Sequence, residues 1–203
     1  MPPTKLQLVL DWDGTVTERD TQWMLLEEFG DREVFARVEE ELQSGRMTHR
    51  DVMEVEYATI RAPLDEASEW LVEHARVRPG LHELVERFDP LILSSGLHEL
   101  IEPLLAREGV EARVRANRVD PRPDGWRLIW TSDSDCDVCG QPCKRAALPD
   151  GDVVYVGDGF SDRCAARAAG RIFARDGLAR YLDGEGVEYE PFTDFHALAA
   201  ALS

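Results

Sequence analysis

The chain has 203 residues, of which 43% are hydrophobic, and its formal net charge is −17 at pH 7. This size and composition suit one domain of ordinary size, or a core domain with a smaller insertion. The charge disfavours binding to nucleic acids and to anionic membranes, and the apolar runs are too short to span a bilayer. No apolar stretch of signal-peptide length stands near the N-terminus, so we expect a cytoplasmic location.

The first predicted element is a short buried strand at residues 6–10, which ends at two carboxylates. After it, the hydrophobic pattern changes to the period of amphipathic helices, with Thr48 as a candidate N-cap. The segments that predict helices are "TQWMLLEEFG", "REVFARVEEELQSG", "THRDVMEVEYATI" and "PLDEASEWLVEHARV". We therefore predict a four-helix insertion at residues 18–77, with residues 1–17 and 78–203 forming the core domain.

Helices and strands alternate in the remainder of the chain. We predict a helix opened by Pro79, a strand "PLILSSG", and a helix that bends or starts afresh at Pro103. The strand "VEARVRANRV" then leads into a hairpin that turns at Asp124 and Gly125. Another buried strand, "DVVYVG", ends in acids and glycines. Such repeated β-α-β units predict an α/β fold with a Rossmann-like parallel sheet, helices on both of its faces, and the inserted helical bundle.

Polar residues stand at or just after several of these strand ends, where ligands bind in open parallel sheets. They are Asp11 and Asp13, then Ser94, Ser95 and Gly96, then Lys144, and finally Asp158 and Asp162. The carboxylates suit Mg²⁺, while the lysine, the serines and the backbone amides of glycine-bearing turns suit phosphate oxygens. Each piece alone is ordinary turn or helix-capping chemistry. Together they form the set that phosphoryl transfer needs.

The motifs "DWDGT", "LILSSG", Lys144 and "VGDGFSD" resemble, in order and spacing, the four motifs of haloacid dehalogenase superfamily phosphatases. The insertion after the first motif is similar to the type-one cap of phosphoserine phosphatase-like members. The resemblance implies a Mg²⁺-dependent phosphomonoesterase in which Asp11 forms an aspartyl-phosphate. Asp13 would act first as general acid and then as general base. Asp11, the backbone carbonyl of Asp13, and Asp158 would hold the metal.

The same resemblance implies that Ser94, Ser95, Gly96 and Lys144 bind the phosphoryl group. Asp162 would hold metal-bound water or orient Lys144. Two other functions stay open on these residues: a phosphotransferase that uses a second alcohol instead of water, and a non-catalytic binding module. The intact set of motifs disfavours the binding module. A homodimer is compatible with the sequence, although no segment specifies an interface.

The substrate is expected to be a small phosphate monoester. Asp20 stands where phosphoserine phosphatases have a carboxylate facing the substrate, but the arginine of those enzymes falls near Glu54, so phosphoserine is not favoured. Arg46, Arg50 or Arg61 could substitute for that arginine. The motifs and the segment "FARDGLARYL" resemble the group that contains 2-hydroxy-3-keto-5-methylthiopentenyl-1-phosphate, phosphocholine and phosphoethanolamine phosphatases. An acidic insertion would tolerate a neutral or cationic leaving group better than a carboxylate-bearing one.

Three cysteines, Cys136, Cys139 and Cys143, stand close together in "CDVCGQPCK", and Cys164 follows well downstream. Without a signal peptide, a structural disulfide is the weaker interpretation. A complete zinc site needs four ligands, and the segment supplies three. Reduced thiols that pack within a loop are therefore favoured over a bound metal at this stage.

Overall fold

The computed structural model describes residues 6–203, so that residues 1–5 of the predicted core segment 1–17 lie outside the described residues. Within residues 6–203, seven strands form one sheet in the order β4-β3-β2-β1-β5-β6-β7. The strands are β1 (Gln7–Leu10), β2 (Leu91–Leu97), β3 (Arg113–Asp120), β4 (Arg127–Ile129), β5 (Val153–Gly157), β6 (Arg171–Ala174) and β7 (Glu190–Pro191). Every neighbouring pair is parallel except β3 and β4, which form the antiparallel hairpin.

Nine α-helices lie in the same residues. They are α1 (Thr21–Phe29), α2 (Arg32–Gln43), α3 (His49–Tyr57), α4 (Leu64–His74), α5 (Leu81–Phe88), α6 (His98–Arg107), α7 (Arg163–Ala166), α8 (Asp176–Glu185) and α9 (Phe195–Ala201). The first four follow one another between β1 and β2. Thr48 caps α3 through a reciprocal capping box with Asp51. No helix among the described residues is both long enough and apolar enough to cross a membrane.

Alternate residues of β1 face two separate hydrophobic cores. Leu8 and Leu10 belong to the larger core, whereas Val9 belongs to a smaller core on the other face. This alternation is what a strand buried on both faces must show, because successive side chains point in opposite directions. The predicted α/β class, with helices covering both faces of a mostly parallel sheet, is confirmed.

The larger core continues from the sheet into α1, α3 and α4, whereas Val38 and Leu42 of α2 form a third cluster with Val52 of α3. Tyr57 in α3 stacks on Trp126, with ring centroids 6.3 Å apart. The indole Nε1 of Trp126 donates to the carbonyl of Ala62 at 2.9 Å. The β3–β4 hairpin therefore packs against α3 and the segment that follows it.

Two predicted boundaries were wrong. Helix α5 starts at Leu81 and not at Pro79, because Gly80 has a φ of +90° and a Cβ there would lie 2.6 Å from the backbone nitrogen of His196. Helix α6 runs through Pro103 without a new start, and the bend that was the alternative there stays a prediction. Strand β2 does not end at Ser94–Gly96 but continues to Leu97.

Candidate active site

The loop after β1 carries the first two carboxylates. The backbone N–H of Asp11 still bonds to the carbonyl of Val156 at 2.9 Å, which fixes Asp11 at the centre of the sheet edge. Gly14 then turns the chain with a φ of +72°, and a Cβ at this position would lie 2.3 Å from the carboxylate of Asp158. The glycine of "DWDGT" is therefore needed both for its backbone conformation and for the close approach of Asp158.

Arg78 binds the backbone of this loop, a role that the sequence did not indicate. Its buried guanidinium donates to the carbonyl oxygens of Thr15 at 2.8 Å, Gly14 at 2.9 Å and Thr17 at 3.2 Å. A buried arginine with this many carbonyl partners fixes the backbone that presents Asp11 and Asp13. An isolated arginine offers no motif in the sequence that would have revealed this role.

Lys144 lies between two buried carboxylates. Its Nζ donates to Asp11 Oδ1 and, at 2.7 Å, to Asp162 Oδ1. The hydroxyl of Tyr155 also donates to Asp162 Oδ1 at 2.7 Å, and the backbone N–H groups of Asp158 and Gly159 donate to its Oδ2 at 3.0 and 2.9 Å. Asp162 thus has donors on both oxygens and orients Lys144 towards Asp11.

The charges of this centre are unbalanced. Desolvation lowers the pKa of Lys144, but Asp11 and Asp162 outweigh it and raise the pKa above that of a free lysine. Burial opposes the ionisation of Asp162, but Lys144 and the other donors lower its pKa. The pKa of Asp11 is raised well above its usual value, first by burial and then by the negative charge of Asp162. The carboxylates exceed what the Lys144 ammonium balances, so a further cation would stabilise the centre.

The end of β2 meets the end of β1 at Asp13. A Cβ on Gly96 would lie 3.1 Å from Asp13 Oδ2, and the Gly96 N–H donates to Ser94 Oγ at 2.8 Å. Asp13 Oδ1 accepts from the hydroxyl of Thr21 and, at 2.9 Å, from its backbone N–H. Burial raises the pKa of Asp13 while both bonds from Thr21 oppose the shift. Ser95 lies beside Asp13 in the wall of the same cavity.

The carboxylates of Asp11, Asp158 and Asp162 offer oxygens that all lie within 4.8 Å of one another. Because Asp162 has donors on both oxygens, Asp11 and Asp158 are better placed to bind a metal ion. Thr15 Oγ1 donates to Asp158 Oδ1 at 2.9 Å, and burial followed by the charge of Asp162 raises the pKa of Asp158 to about 6. This is a set of hard oxygen donors in excess negative charge, which fits Mg²⁺.

Asp11, Asp13 and Asp158 open into a cavity of about 240 Å³ beneath α1–α3. Asp20 is exposed and also lines this cavity, and its Oδ1 caps α1 by accepting from Trp23 N at 2.8 Å. Among the described residues that line this cavity there is no lysine and no arginine.

Glu56 is a further acid that lines this cavity, and no sequence motif marks it as a site residue. It is buried, accepts from Gln22 Nε2 at 2.7 Å, and its pKa is raised to about 7 by burial. His49 also lines this cavity, and its ring stacks on that of Phe160. Desolvation lowers the pKa of His49 to about 4, so the ring is neutral at neutral pH.

Three arginines could substitute for the arginine of phosphoserine phosphatases, but they lie outside this cavity. Arg46 pairs with Glu41, and Arg50 pairs with Asp133 at 2.8 Å. Arg61 lines a separate surface depression. Arg50 belongs to a larger cavity of about 590 Å³, which reaches Lys144 from the other side. Asp11 and Asp13 line the smaller cavity, whereas Ser94 and Lys144 line the larger one.

The comparisons with known proteins agree with this geometry. A family model described as haloacid dehalogenase-like hydrolase matches residues 8–167, a range that includes all the strand-end residues described above. The chain belongs to this family. The predicted enzyme class, a hydrolase of this superfamily, is thereby confirmed.

The hydrolase has relatives and structural neighbours over almost its whole length. It is 25% identical to a 2-hydroxy-3-keto-5-methylthiopentenyl-1-phosphate phosphatase of Bacillus thuringiensis (strain Al Hakam), covering 97% of this chain and 95% of that protein. A structure described as a phospho-aspartyl intermediate analogue of phosphoserine phosphatase has a TM-score of 0.71 and 17% identity over 98% of this chain and 99% of that one. A phosphoserine phosphatase from T. onnurineus has a TM-score of 0.69 and 21% identity over 98% and 95%. The resemblance to both groups that the motifs indicated is confirmed.

The cysteines of the hydrolase come together as four and not as the three that stand close in the sequence. Cys164, in α7, joins Cys136, Cys139 and Cys143, and the four sulfur atoms all lie within 4.8 Å of one another. All four are free thiols, with Cys136 buried. The sequence distance between Cys143 and Cys164 hid this cluster.

Proposed function

We propose that the hydrolase is a Mg²⁺-dependent phosphomonoesterase that acts through an aspartyl-phosphate on Asp11. The observation that carries the proposal is the buried Asp11–Lys144–Asp162 chain beside Asp158, with Asp11 opening into a cavity. Asp11 is fixed by the sheet and held by Lys144, as a nucleophile must be. The structural similarity to a phosphoserine phosphatase described as a phospho-aspartyl intermediate analogue supports this.

In the proposed reaction, Asp11 attacks the phosphorus and the ester bond to the leaving alcohol breaks. Ser94, the backbone amides of Ser95 and Gly96, and Lys144 bind the phosphoryl oxygens and stabilise the charge that develops on them. Asp13, whose raised pKa favours the protonated form, donates its proton to the leaving oxygen. It then removes a proton from the water that hydrolyses the aspartyl-phosphate.

Asp11, Asp158 and the backbone carbonyl of Asp13 would hold the Mg²⁺. When bound, the cation neutralises charge on the phosphoryl group and on the excess carboxylates. Asp162 would act on Lys144, because the donors on both of its oxygens leave it poorly placed to serve as a ligand.

We further propose that residues 18–77 form the cap and select a leaving group that is neutral or cationic. Asp20 and Glu56 line the cavity on the cap side, and no arginine or lysine among its described lining would pair with a carboxylate. Trp23 and Phe35, packed edge to face at 5.2 Å, add aromatic surface that suits a cationic or apolar group. Phosphoserine is therefore disfavoured as the substrate. The homodimer and the cytoplasmic location stay predictions.

A panel of phosphate esters tests the proposal. The panel contains p-nitrophenyl phosphate, phosphoethanolamine, phosphocholine, phosphoserine and the methylthiopentenyl ester, each with Mg²⁺ and with EDTA. We expect Mg²⁺-dependent phosphate release that favours the esters without a carboxylate. A preference for phosphoserine would contradict the proposed leaving-group class, and loss of free phosphate when a second alcohol is added would indicate a phosphotransferase. No turnover of any ester with Mg²⁺ would favour the binding module.

A further inference from the structure

The cluster of four cysteines lies outside the proposed catalytic centre and has no part in the reaction described above. Its members come from two places: Cys136, Cys139 and Cys143 from the segment between β4 and Lys144, and Cys164 from α7. We propose that these four thiolates form a structural zinc site.

The spacing of the sulfur atoms fits tetrahedral coordination. Zn–S bonds of about 2.3 Å give sulfur–sulfur edges of about 3.8 Å in a tetrahedron. The Sγ atoms of Cys136 and Cys164 are 3.8 Å apart, and all four sulfurs lie within 4.8 Å of one another. A disulfide needs a sulfur–sulfur bond of about 2.0 Å, so this arrangement is that of separate ligands around a centre.

The backbone from Cys136 to Gly140 folds around the sulfur atom of Cys136. The N–H of Val138 donates to Cys136 Sγ at 3.4 Å, and the N–H of Gly140 donates to the Cys136 carbonyl at 2.8 Å. Gly140 has a φ of +70°, which a side chain would disfavour, so the turn after Cys139 depends on glycine. N–H groups directed at a sulfur stabilise its thiolate form, which is the form that binds metal.

Between Thr131 and Cys143 the structure buries one side chain, that of Cys136. Val138 is 64% exposed, while the buried position is taken by Cys136. The segment has sulfur atoms on its inner side where a loop of this length would otherwise need apolar side chains. Four soft thiolates select zinc over the hard Mg²⁺ of the proposed catalytic centre, and a closed set of four protein ligands is typical of structural zinc.

The position of the cluster gives the metal a consequence for the active site. Cys143 directly precedes Lys144, and Cys164 stands two residues after Asp162. Lys144 and Asp162 are the partners of the buried ion pair. Zinc would therefore join the two segments that carry this pair and hold Lys144 at its distance from Asp11.

The metal content of the purified protein tests the site directly. The full chain is expressed in zinc-supplemented medium, purified without metal-affinity resin under reducing conditions, and analysed by plasma mass spectrometry. We expect about one zinc per chain, as a closed four-thiolate site requires. Replacement by Co²⁺ should give the intense absorption of tetrahedral thiolate coordination. Asp11→Asn should keep its zinc, which separates this result from the fate of the proposed phosphatase activity.

Substitutions then assign the ligands. Cys139→Ala and Cys164→Ala should each lose the zinc, whereas Cys139→His, which keeps a ligand, and the matched control Val138→Ala should retain it. Should the alanine variants fail to fold, the zinc content and cobalt spectrum of the unaltered chain still decide. Wild-type protein without zinc and with four titratable thiols would overturn the proposal. So would a Cys136–Cys164 disulfide, or iron in place of zinc.

Discussion

The two sides of the candidate active site are built in opposite ways. Around Lys144, every charged oxygen of Asp162 has a donor, and the ammonium lies between two buried carboxylates. In the cavity beneath α1–α3, Asp20 is exposed, and the buried acid Glu56 has Gln22 as its bonded partner. One side fixes each atom, whereas the other leaves room beside the acids Asp20 and Glu56.

This difference suggests a division of labour. Phosphoryl transfer needs groups held in place before the substrate arrives, because their stabilisation of developing charge costs no reorganisation then. Selection of a leaving group needs space and a sign of charge. We therefore expect substitutions around Lys144 to affect the turnover of all esters alike, and substitutions in the cavity to affect one class of ester more than another.

The largest effect is expected from Asp11→Asn. The amide keeps the shape of the side chain but removes the nucleophilic charge, so kcat should fall by roughly a thousandfold or more for every ester. Phosphate release and thermal unfolding are measured together. Retained activity in a folded variant would exclude Asp11 as the nucleophile.

Arg78→Met should lower the stability of the protein, and by the same amount whichever substrate is tested. The substitution removes the side-chain donor from four carbonyl groups, those of Gly14, Thr15, Thr17 and Thr193, so we expect the free energy of unfolding to fall by about 3 kcal/mol. Denaturant unfolding measures this, and Arg76→Met, at an exposed arginine two residues away, is the matched control. An unfolding free energy equal to that of the control would show that Arg78 does not hold the loop.

Asp162→Asn should lower kcat by about a hundredfold. Without the charge of Asp162, the Lys144 ammonium would shift relative to Asp11 and to the phosphoryl group, and a shift of about 1 Å has an effect of this size. Its effect should be the same for cationic and neutral esters. Tyr155→Phe removes only one donor to the same carboxylate and should cost less. A change in KM alone, with kcat intact, would place Asp162 outside the machinery that positions the phosphoryl group.

The smallest effect, and the most selective one, is expected from Glu56→Gln. The pKa of Glu56 is raised to about 7, so the carboxyl is mostly neutral at pH 6 and mostly charged at pH 8. KM for phosphoethanolamine should therefore fall between these pH values in the wild type, and the variant should lose this fall, with a KM about tenfold higher at pH 8. KM for p-nitrophenyl phosphate should be the same in the wild type and in the variant. An equal change for both esters would contradict a role in selection.

The strands, the four-helix segment and the residues at the strand ends could be predicted because their signals are local. An apolar run that ends in Asp11 and Asp13 shows both the strand and the site. Tyr155 gave no such signal, since a tyrosine in "VVYVG" has the pattern of any core aromatic residue. Cys164 joins its partners only because α7 packs beside the turn at Lys144, and such packing is not encoded in any short stretch of sequence.

The predicted element boundaries were wrong where the backbone conformation, and not the hydrophobic pattern, sets the end of an element. Gly80 delays the start of α5 because its positive φ is incompatible with a helix, and the hydrophobic period does not reveal that conformation. Arg78 is a similar case, since its partners are carbonyl groups of the loop after β1, which no side-chain pattern marks. Backbone geometry and backbone partners are thus what sequence reasoning missed.

The central claim is that Asp11 carries the phosphoryl group during the reaction, and one measurement tests it most directly. Asp13→Asn is mixed rapidly with p-nitrophenyl phosphate, whose leaving group needs no general acid, and the peptides are analysed after acid quenching. We predict a burst of about one p-nitrophenol per chain and one phosphoryl group on the peptide that contains Asp11, because hydrolysis then lacks its general base. Steady turnover without a burst, or a phosphoryl group on another residue, would contradict the account.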